Sequence, residues 1–301
     1  MILSADLLPD RCAEMLSEFG LKSASEDRND IREANILLGA RATIRKAIQT
    51  GMPNLEVIQT FTAGVDDLPF DLIPKKVKIF SNAGVFSQSV SEHGLALVLA
   101  LAKNINRKNP GLSYTVKGKT FVVLGCGGIG STIAAMARNA FGCRVIGLSR
   151  SFKVPENFDE RLSTDQLEHA VSSADILVSA LPLNKFTRGL LKYDNLTRIK
   201  KNSIIVNVGR AEAIDERDIY RLLVENPGIR FGTDVFWFLD EKEDFDSKLW
   251  DLPNFMGTMH RAGGKASPGV MELAMETAVK NVRNYILTGT ASNLVRREDY
   301  V

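Results

Sequence analysis

The sequence predicts an α/β protein built on parallel β-sheets with helices on both faces. Three observations carry this expectation. Short apolar, β-branched runs alternate with helix-like stretches along nearly all of the 301 residues. The runs are continuously apolar rather than alternating, as strands buried on both faces must be. A glycine-rich turn separates one such run from the helix that follows it, which is where doubly wound sheets bind their ligands.

The composition is that of an ordinary globular chain, 45% hydrophobic and 25% charged. Its length suits one large domain or two medium ones and allows a sizeable core. Formal net charge is +2, from 38 basic and 36 acidic side chains. That balance gives no reason to expect nucleic acid or an anionic membrane as partner. The three cysteines, Cys12, Cys126 and Cys143, are odd in number and lack metal-ligand spacing. They read as free, buried thiols in a reducing cytoplasm, with no metal site. The opening "MILSADLLPD" is interrupted by Asp6 and Asp10 and has no basic leader. The longest strongly apolar run, "GLALVLALA" from Gly94 to Ala102, is too short to span a bilayer.

Taken in order, strands are expected at "ANILLGA", "LEVIQTF", "VKIFSNA", "TFVVLG", "CRVIGLS", "DILVSAL", "SIIVNVG" and "IRFGTDVF". Helices are expected at "TIRKAIQTG", "TDQLEHAVSSA" and "ERDIYRLLVEN". "SQSVSEHGLALVLALAKNI" is a strong helix with apolar or small residues on most of its circumference. A helix so apolar is expected between domains or subunits. The polar stretch Lys103 to Lys119, with Pro110, Gly111 and Gly118, reads as a linker. "SPGVMELAMETAVKNVRNYILTG" is a long amphipathic helix, with Ser267 as cap and Pro268 in its first turn.

"FVVLGCGGIGSTIAAMARNAF" places Gly125, Gly127 and Gly130 in G-x-G-x-x-G spacing. The first glycine permits the tight turn, the second lets the backbone approach a pyrophosphate, and the third lets helix pack on strand. The helix N-terminus then offers free amides and a partial positive charge to phosphate. A lone glycine pattern is weak, but here it follows a strand and opens a helix. The next strand ends in Ser149, Arg150 and Ser151, where dinucleotide folds usually carry an acid that holds the adenosine ribose. Without that carboxylate a 2′-phosphate is not repelled, and Arg150 offers a guanidinium to it. The residues therefore favour NADP(H), with NAD(H) as the alternative. The bland reading is that Arg150 is a solvated charge.

Of the three histidines, His169 lies in a polar helix and His93 in the apolar one, where a structural role is expected. His260 lies in "FMGTMHRAGG", after an apolar strand, where a proton donor to a carbonyl would be useful. Arg210 stands at the end of "SIIVNVG", and its fork suits a carboxylate. Asp234 stands near the end of a third strand.

"TAGVDDL", "SNAGVFSQSVSEHGLALVLALA", "LPLNKFTRGLL", "IKKNSIIVNVGRA", "GTDVF", "LWDLPN" and "TMHRAGG" follow one another along the chain. With these the sequence resembles the D-isomer-specific 2-hydroxyacid dehydrogenases, glyoxylate and hydroxypyruvate reductases among them, over almost its whole length. The resemblance implies a flavodoxin-like substrate domain of residues 1–94 plus 275–301 and a Rossmann dinucleotide-binding domain of 95–274, with the active site in a cleft between them. It implies that Arg210 binds the carboxylate of a small 2-oxoacid and that His260 gives its carbonyl oxygen a proton. It places Asp234 on the nicotinamide carboxamide and the backbone of Ala63, Gly64 and Val65 on the substrate carboxylate. Gly128, Ile129, Val208 and Gly209 join the dinucleotide contacts, with Leu181 and Pro182 on the adenine side.

The chain departs from the pattern in one respect that matters. Relatives carry a Glu five residues after the strand-end Asp, paired with the His so that a carboxylate stabilises the imidazolium. Leu239 occupies that position. Counting back from "LWDLPN" selects Glu241, with Asp240 as competitor. The expectation is thus a cytoplasmic, homodimeric reductase of a small 2-oxoacid. Phosphoglycerate is disfavoured because no added basic cluster awaits its phosphate, and a formate or phosphite oxidiser because the cofactor signal is not that of an NAD enzyme. The contrasting class is a dinucleotide-sensing binding protein on the same fold, which would need neither Arg210 nor His260.

Overall fold

All eight apolar runs become parallel strands. They are described by a computed structural model that covers residues 1–105, 112–239, 242–263 and 268–301. The chain divides into two units, Met1–Phe86 with Ser267–Val301, and Ser87–Ala266.

In the first unit β1 (Ile2–Ser4), β2 (Leu21–Ser23), β3 (Ile36–Gly39), β4 (Val57–Thr60) and β5 (Lys78–Phe80) form one sheet in the order β2-β1-β3-β4-β5. Every pairing is parallel, with Leu37 opposite both Leu3 and Ile58. Helices α1 (Asp10–Ser17), α2 (Arg28–Glu33) and α3 (Arg41–Thr50) connect the first four strands. Asp27 caps α2 by accepting from the Asn29 amide at 2.7 Å. Ile44 and Ile48 of α3 and Leu37 and Ile58 of the sheet share one core.

The second unit opens with α4 (Ser87–Lys103), followed by β6 (Thr120–Leu124), α5 (Gly128–Phe141), β7 (Arg144–Leu148), β8 (Glu160–Leu162), α6 (Leu167–Ser173), β9 (Ile176–Ser179), α7 (Tyr193–Leu196), β10 (Ile204–Asn207), α8 (Glu216–Glu225), β11 (Arg230–Thr233), β12 (Phe238–Leu239), β13 (Lys242–Glu243) and β14 (Phe255–Gly257). Seven strands make a parallel sheet in the order β14-β11-β10-β9-β6-β7-β8. The strand order reverses between β6 and β9, the switch point at which such sheets bind dinucleotides. Strands β12 and β13 form a separate antiparallel pair. Asp215 caps α8 through the amides of Arg217 and Asp218.

The long C-terminal helix α9 (Pro268–Thr288) belongs to the first unit, where Ala278, Val279 and Val282 pack with Phe61 and Leu16. Ser267, expected as its cap, lies outside the described residues, as do Pro110 and Gly111 of the expected linker.

The two units meet in sequence at 86/87 and 266/267, earlier than the expected breaks at 94/95 and 274/275. A helix packs as a whole, so the chain changes unit before α4 and before α9 rather than inside them. The apolar circumference of α4 is largely used within its own unit: Val90, Ser91, Gly94, Leu97, Val98, Leu101 and Ala102 are buried, and the helix packs on α5, β10 and β11. No helix among the described residues is long and apolar enough to cross a membrane.

Candidate active site

The carboxyl edge of the seven-stranded sheet gathers the glycine turn, Arg210, Asp234 and His260, each just beyond the end of a parallel strand. At the switch point Gly125 adopts φ +88°, and a Cβ there would lie 2.9 Å from the Ala180 carbonyl oxygen. Gly130 is closer still, since its Cβ would stand 2.0 Å from the Gly125 oxygen. Gly127, at the N-cap of α5, is different: a Cβ there would meet no protein atom within 4 Å. Packing does not require that glycine, whereas an approaching diphosphate does, and the first amides of α5 have no acceptor within the helix. The turn thus fits a dinucleotide phosphate. Gly128 and Ile129 follow, half-buried, in the first turn of α5.

Beyond β7, Ser149 is half-buried and Arg150 and Ser151 are exposed. The Ser151 amide donates to Ser149 Oγ at 3.4 Å, and the Arg150 guanidinium lies over the Phe186 ring, 5.2 Å from its centroid. Ser149, Arg150 and Ser151 include no carboxylate.

Buried Asn207 ends β10 and folds the turn that displays Arg210. Its Oδ1 accepts from the Gly209 amide at 3.1 Å, and its Nδ2 donates to the Arg210 carbonyl at 3.0 Å. Arg210 itself is half-buried and donates from Nη1 to the Gly209 carbonyl at 3.0 Å. Val208 packs into the core.

His260 follows β14 in a left-handed conformation, φ +49°. Its Nδ1 lies 2.7 Å from Glu243 Oε2, and the pair is partly shielded, with side-chain exposures of 31% and 11%. Glu243 comes from β13, opposite Phe238 of β12, and its Oε1 also accepts from the Phe236 amide. Asp234, 2% exposed, holds the loop around the histidine. Its carboxylate accepts from Thr258 Oγ1 at 2.6 Å and from the amides of Arg261 and Ala262 at 2.8 and 2.9 Å, while its carbonyl accepts from the His260 amide at 2.8 Å. An imidazole fixed through one nitrogen by a carboxylate presents the other for proton exchange, on the sheet edge that carries Arg210. That set is chemistry for a small carboxylate with a neighbouring carbonyl.

The family model for the D-isomer specific 2-hydroxyacid dehydrogenase NAD binding domain matches residues 94–262, more than half of the chain. The chain belongs to the D-isomer specific 2-hydroxyacid dehydrogenases. A glyoxylate reductase of Pyrococcus horikoshii is 27% identical over 276 residues, which cover 85% of this chain and 80% of that protein. A Pyrobaculum aerophilum protein, provisionally named a formate dehydrogenase, has a solved structure with 33% identity, TM-score 0.85 and 99% of each chain covered. A D-isomer specific 2-hydroxyacid dehydrogenase of Xanthobacter autotrophicus Py2, solved with NADPH and MES, has 22% identity, TM-score 0.80 and coverage of 100% of this chain and 99% of that one.

The carboxylate that meets the histidine is Glu243. Glu241 and Asp240, the acids expected there, lie outside the described residues. Leu181 is a buried core side chain and Pro182 beside it is exposed. In the first unit Ala63, Gly64 and Val65 follow β4 at the carboxyl edge of their own sheet. The loop is pinned where Thr62 Oγ1 donates to the Gly64 carbonyl at 3.0 Å, and Val65 is buried in the core of that unit. His169 is exposed and bonds Glu160 at 3.0 Å. Among the described residues no group of His, Cys, Asp and Glu could hold a metal ion. Asn207 and Thr258 lie within "IKKNSIIVNVGRA" and "TMHRAGG" and Glu243 outside every motif, and the roles of all three become visible only through the geometry.

Proposed function

We propose that the chain is an NADPH-preferring reductase of small 2-oxoacids, with glyoxylate as the leading substrate. The observation that carries this reading is the His260–Glu243 contact at 2.7 Å, on the sheet edge where Arg210 ends its strand. When bound, the dinucleotide supplies the hydride. Arg210 takes the substrate carboxylate in a forked pair of hydrogen bonds and so orients the adjoining carbonyl. His260 donates its Nε2 proton to the carbonyl oxygen, and Glu243 offsets the charge on the protonated ring. Hydride at carbon and proton at oxygen together give the 2-hydroxyacid. In the reverse direction the same nitrogen removes the hydroxyl proton. The backbone amides of Ala63, Gly64 and Val65 keep the substrate role that the resemblance gives them.

The cofactor preference rests on Ser149, Arg150 and Ser151, which offer a guanidinium and two hydroxyls where an acid would repel a 2′-phosphate. The name of the Pyrobaculum protein favours a second reading, formate oxidation. Removing hydride from formate yields carbon dioxide with no proton to transfer, so the paired histidine would have no acid–base task in it. Homodimerisation through the remaining surface of α4 is retained as a proposal, and light scattering showing a monomer would refute it.

The test is a panel of glyoxylate, hydroxypyruvate and pyruvate with NADPH and NADH in parallel, plus formate with both oxidised dinucleotides. Glyoxylate turnover with NADPH is expected, lost about 100-fold or more in His260→Ala. Ser149→Asp combined with Arg150→Ala should swing preference about tenfold or more toward NADH. Absence of turnover across the oxoacids, or turnover of formate alone, overturns the reading.

A further inference from the structure

His93 has no place in the chemistry above, yet it reaches the loop that carries the catalytic histidine. We propose that His93, together with Ser89, is a positioning residue for His260. This rests on the reading of His260 as the proton donor.

Ser89 and His93 stand four residues apart on α4, one above the other on the same face. Ser89 Oγ donates to the Ala262 carbonyl at 2.7 Å. His93 Nε2 lies 2.8 Å from Thr258 Oγ1. The two contacts therefore grip the loop Thr258–Ala262 at its first and last residues, with His260 between them. The direction of the second contact follows from hydrogen counting. Thr258 has one hydroxyl proton, which goes to the acceptor-only carboxylate of Asp234 at 2.6 Å. Its oxygen must therefore accept from His93, so His93 carries its proton on Nε2. The order of donation is His93 to Thr258 to Asp234, and Asp234 in turn receives the Arg261 and Ala262 amides.

What this network holds is a conformation the loop would not choose alone. A histidine at φ +49° is a strained backbone that persists where its surroundings over-determine it. Glu243 fixes the direction of the ring, whereas α4 and Asp234 fix the backbone from which the ring projects. A donor shifted by about 1 Å is enough to cost about 100-fold in rate. The glycine turn and Ser149–Ser151 stand on β6, α5 and β7, outside the clamped loop, so the grip on the phosphates and ribose, which carries most of the dinucleotide contacts expected here, has no reason to change with it. Asp234, expected on the nicotinamide carboxamide, keeps the Arg261 and Ala262 amides in His93→Leu.

A packing role and a positioning role separate by substitution. His93→Leu keeps apolar bulk and loses the donor, whereas His93→Gln keeps an amide donor at similar reach. For His93→Leu we expect kcat with glyoxylate and NADPH to fall about tenfold to 100-fold, with KM for NADPH within about twofold. His93→Gln should recover most of the loss. A second readout needs no turnover. The chain has three histidines, so isotope-labelled imidazole signals can be assigned with His260→Ala and His93→Leu. The His260 signal should move in His93→Leu and return in His93→Gln. Wild-type rate and an unmoved signal in His93→Leu, or a Gln variant no better than the Leu variant, overturn the clamp. If the wild-type protein reduces no 2-oxoacid, the functional reading falls and the imidazole signals alone decide the clamp. Should His93→Leu fail to fold, Ser89→Ala removes the other grip without disturbing a ring. It must lower kcat and move the His260 signal, or the proposal fails.

Discussion

His260 meets its carboxylate through a residue that counting along the chain does not find. Four acids crowd the segment between Trp237 and Phe245, at 240, 241, 243 and 244, and any of them satisfies a motif read as a string. The antiparallel pairing of β12 with β13 makes the choice, because it sets Glu243 across from Phe238 and turns its carboxylate to the imidazole. Register of that kind depends on a two-residue pairing with no apolar periodicity behind it, and so it is invisible to patterning. Arg210 is legible for the opposite reason: it stands just past β10, a buried, β-branched strand whose end is unmistakable. His260 follows the short, partly buried β14 and is legible through "TMHRAGG" instead. Glu243→Gln keeps the shape and an acceptor oxygen but removes the charge opposite the protonated ring. We expect kcat to fall about tenfold to 100-fold, with NADPH affinity, measured by fluorescence titration, unchanged. Wild-type turnover in this variant would mean that the ring needs an acceptor and not a charge.

At the scale of elements, the glycine turn makes two opposite predictions within three residues. Gly130→Ala would drive a methyl group into the Gly125 oxygen and against Val123, both parts of the rigid strand end. Overpacking of this kind costs about 1–3 kcal/mol, to be read as a lower melting temperature. Gly127→Ala meets no protein atom, so the melting temperature should hold while NADPH binding weakens. If Gly127→Ala bound NADPH as the wild type does, the open side of the turn would not be the phosphate seat. The same contrast explains what patterning found. Strands β3 to β7 and β9 to β11 are buried almost throughout and announce themselves as continuous apolar runs. Strands β2 and β8 sit at sheet edges with half their side chains in water, and β12 is exposed, so none of them contributes an apolar run. Helix α4 is legible as a helix, and its buried residues pack on α5 and the sheet of its own unit; the expectation that it lies between domains or subunits concerns its remaining surface.

Across the whole molecule, all three thiols lie buried, one in the first unit and two in the second, so native stability is linked to alkaline pH. Burial pushes the Cys126 thiol from its ordinary 9.0 up to about 12. Burial likewise raises Cys143, and it raises Cys12 with a smaller push from Glu276. A thiol whose native pKa is raised favours the folded state fully below the pKa of the unfolded chain. That contribution is lost as pH climbs from 9.0 toward the native value, because the unfolded thiol ionises while the buried one stays neutral. The melting temperature is therefore expected to fall above pH 9.0, and the fall should be shallower in Cys126→Ala, which isolates one thiol from the lysines and tyrosines that titrate in the same range. Thiolate is also the reactive form, so native protein should resist alkylation at mildly alkaline pH and yield three modified cysteines once unfolded in denaturant. Cys126 follows the first glycine of the phosphate turn. Its modification in native protein at the rate of an unfolded chain would mean that the turn opens, and a phosphate seat made of fixed backbone amides could not then be the basis of dinucleotide affinity.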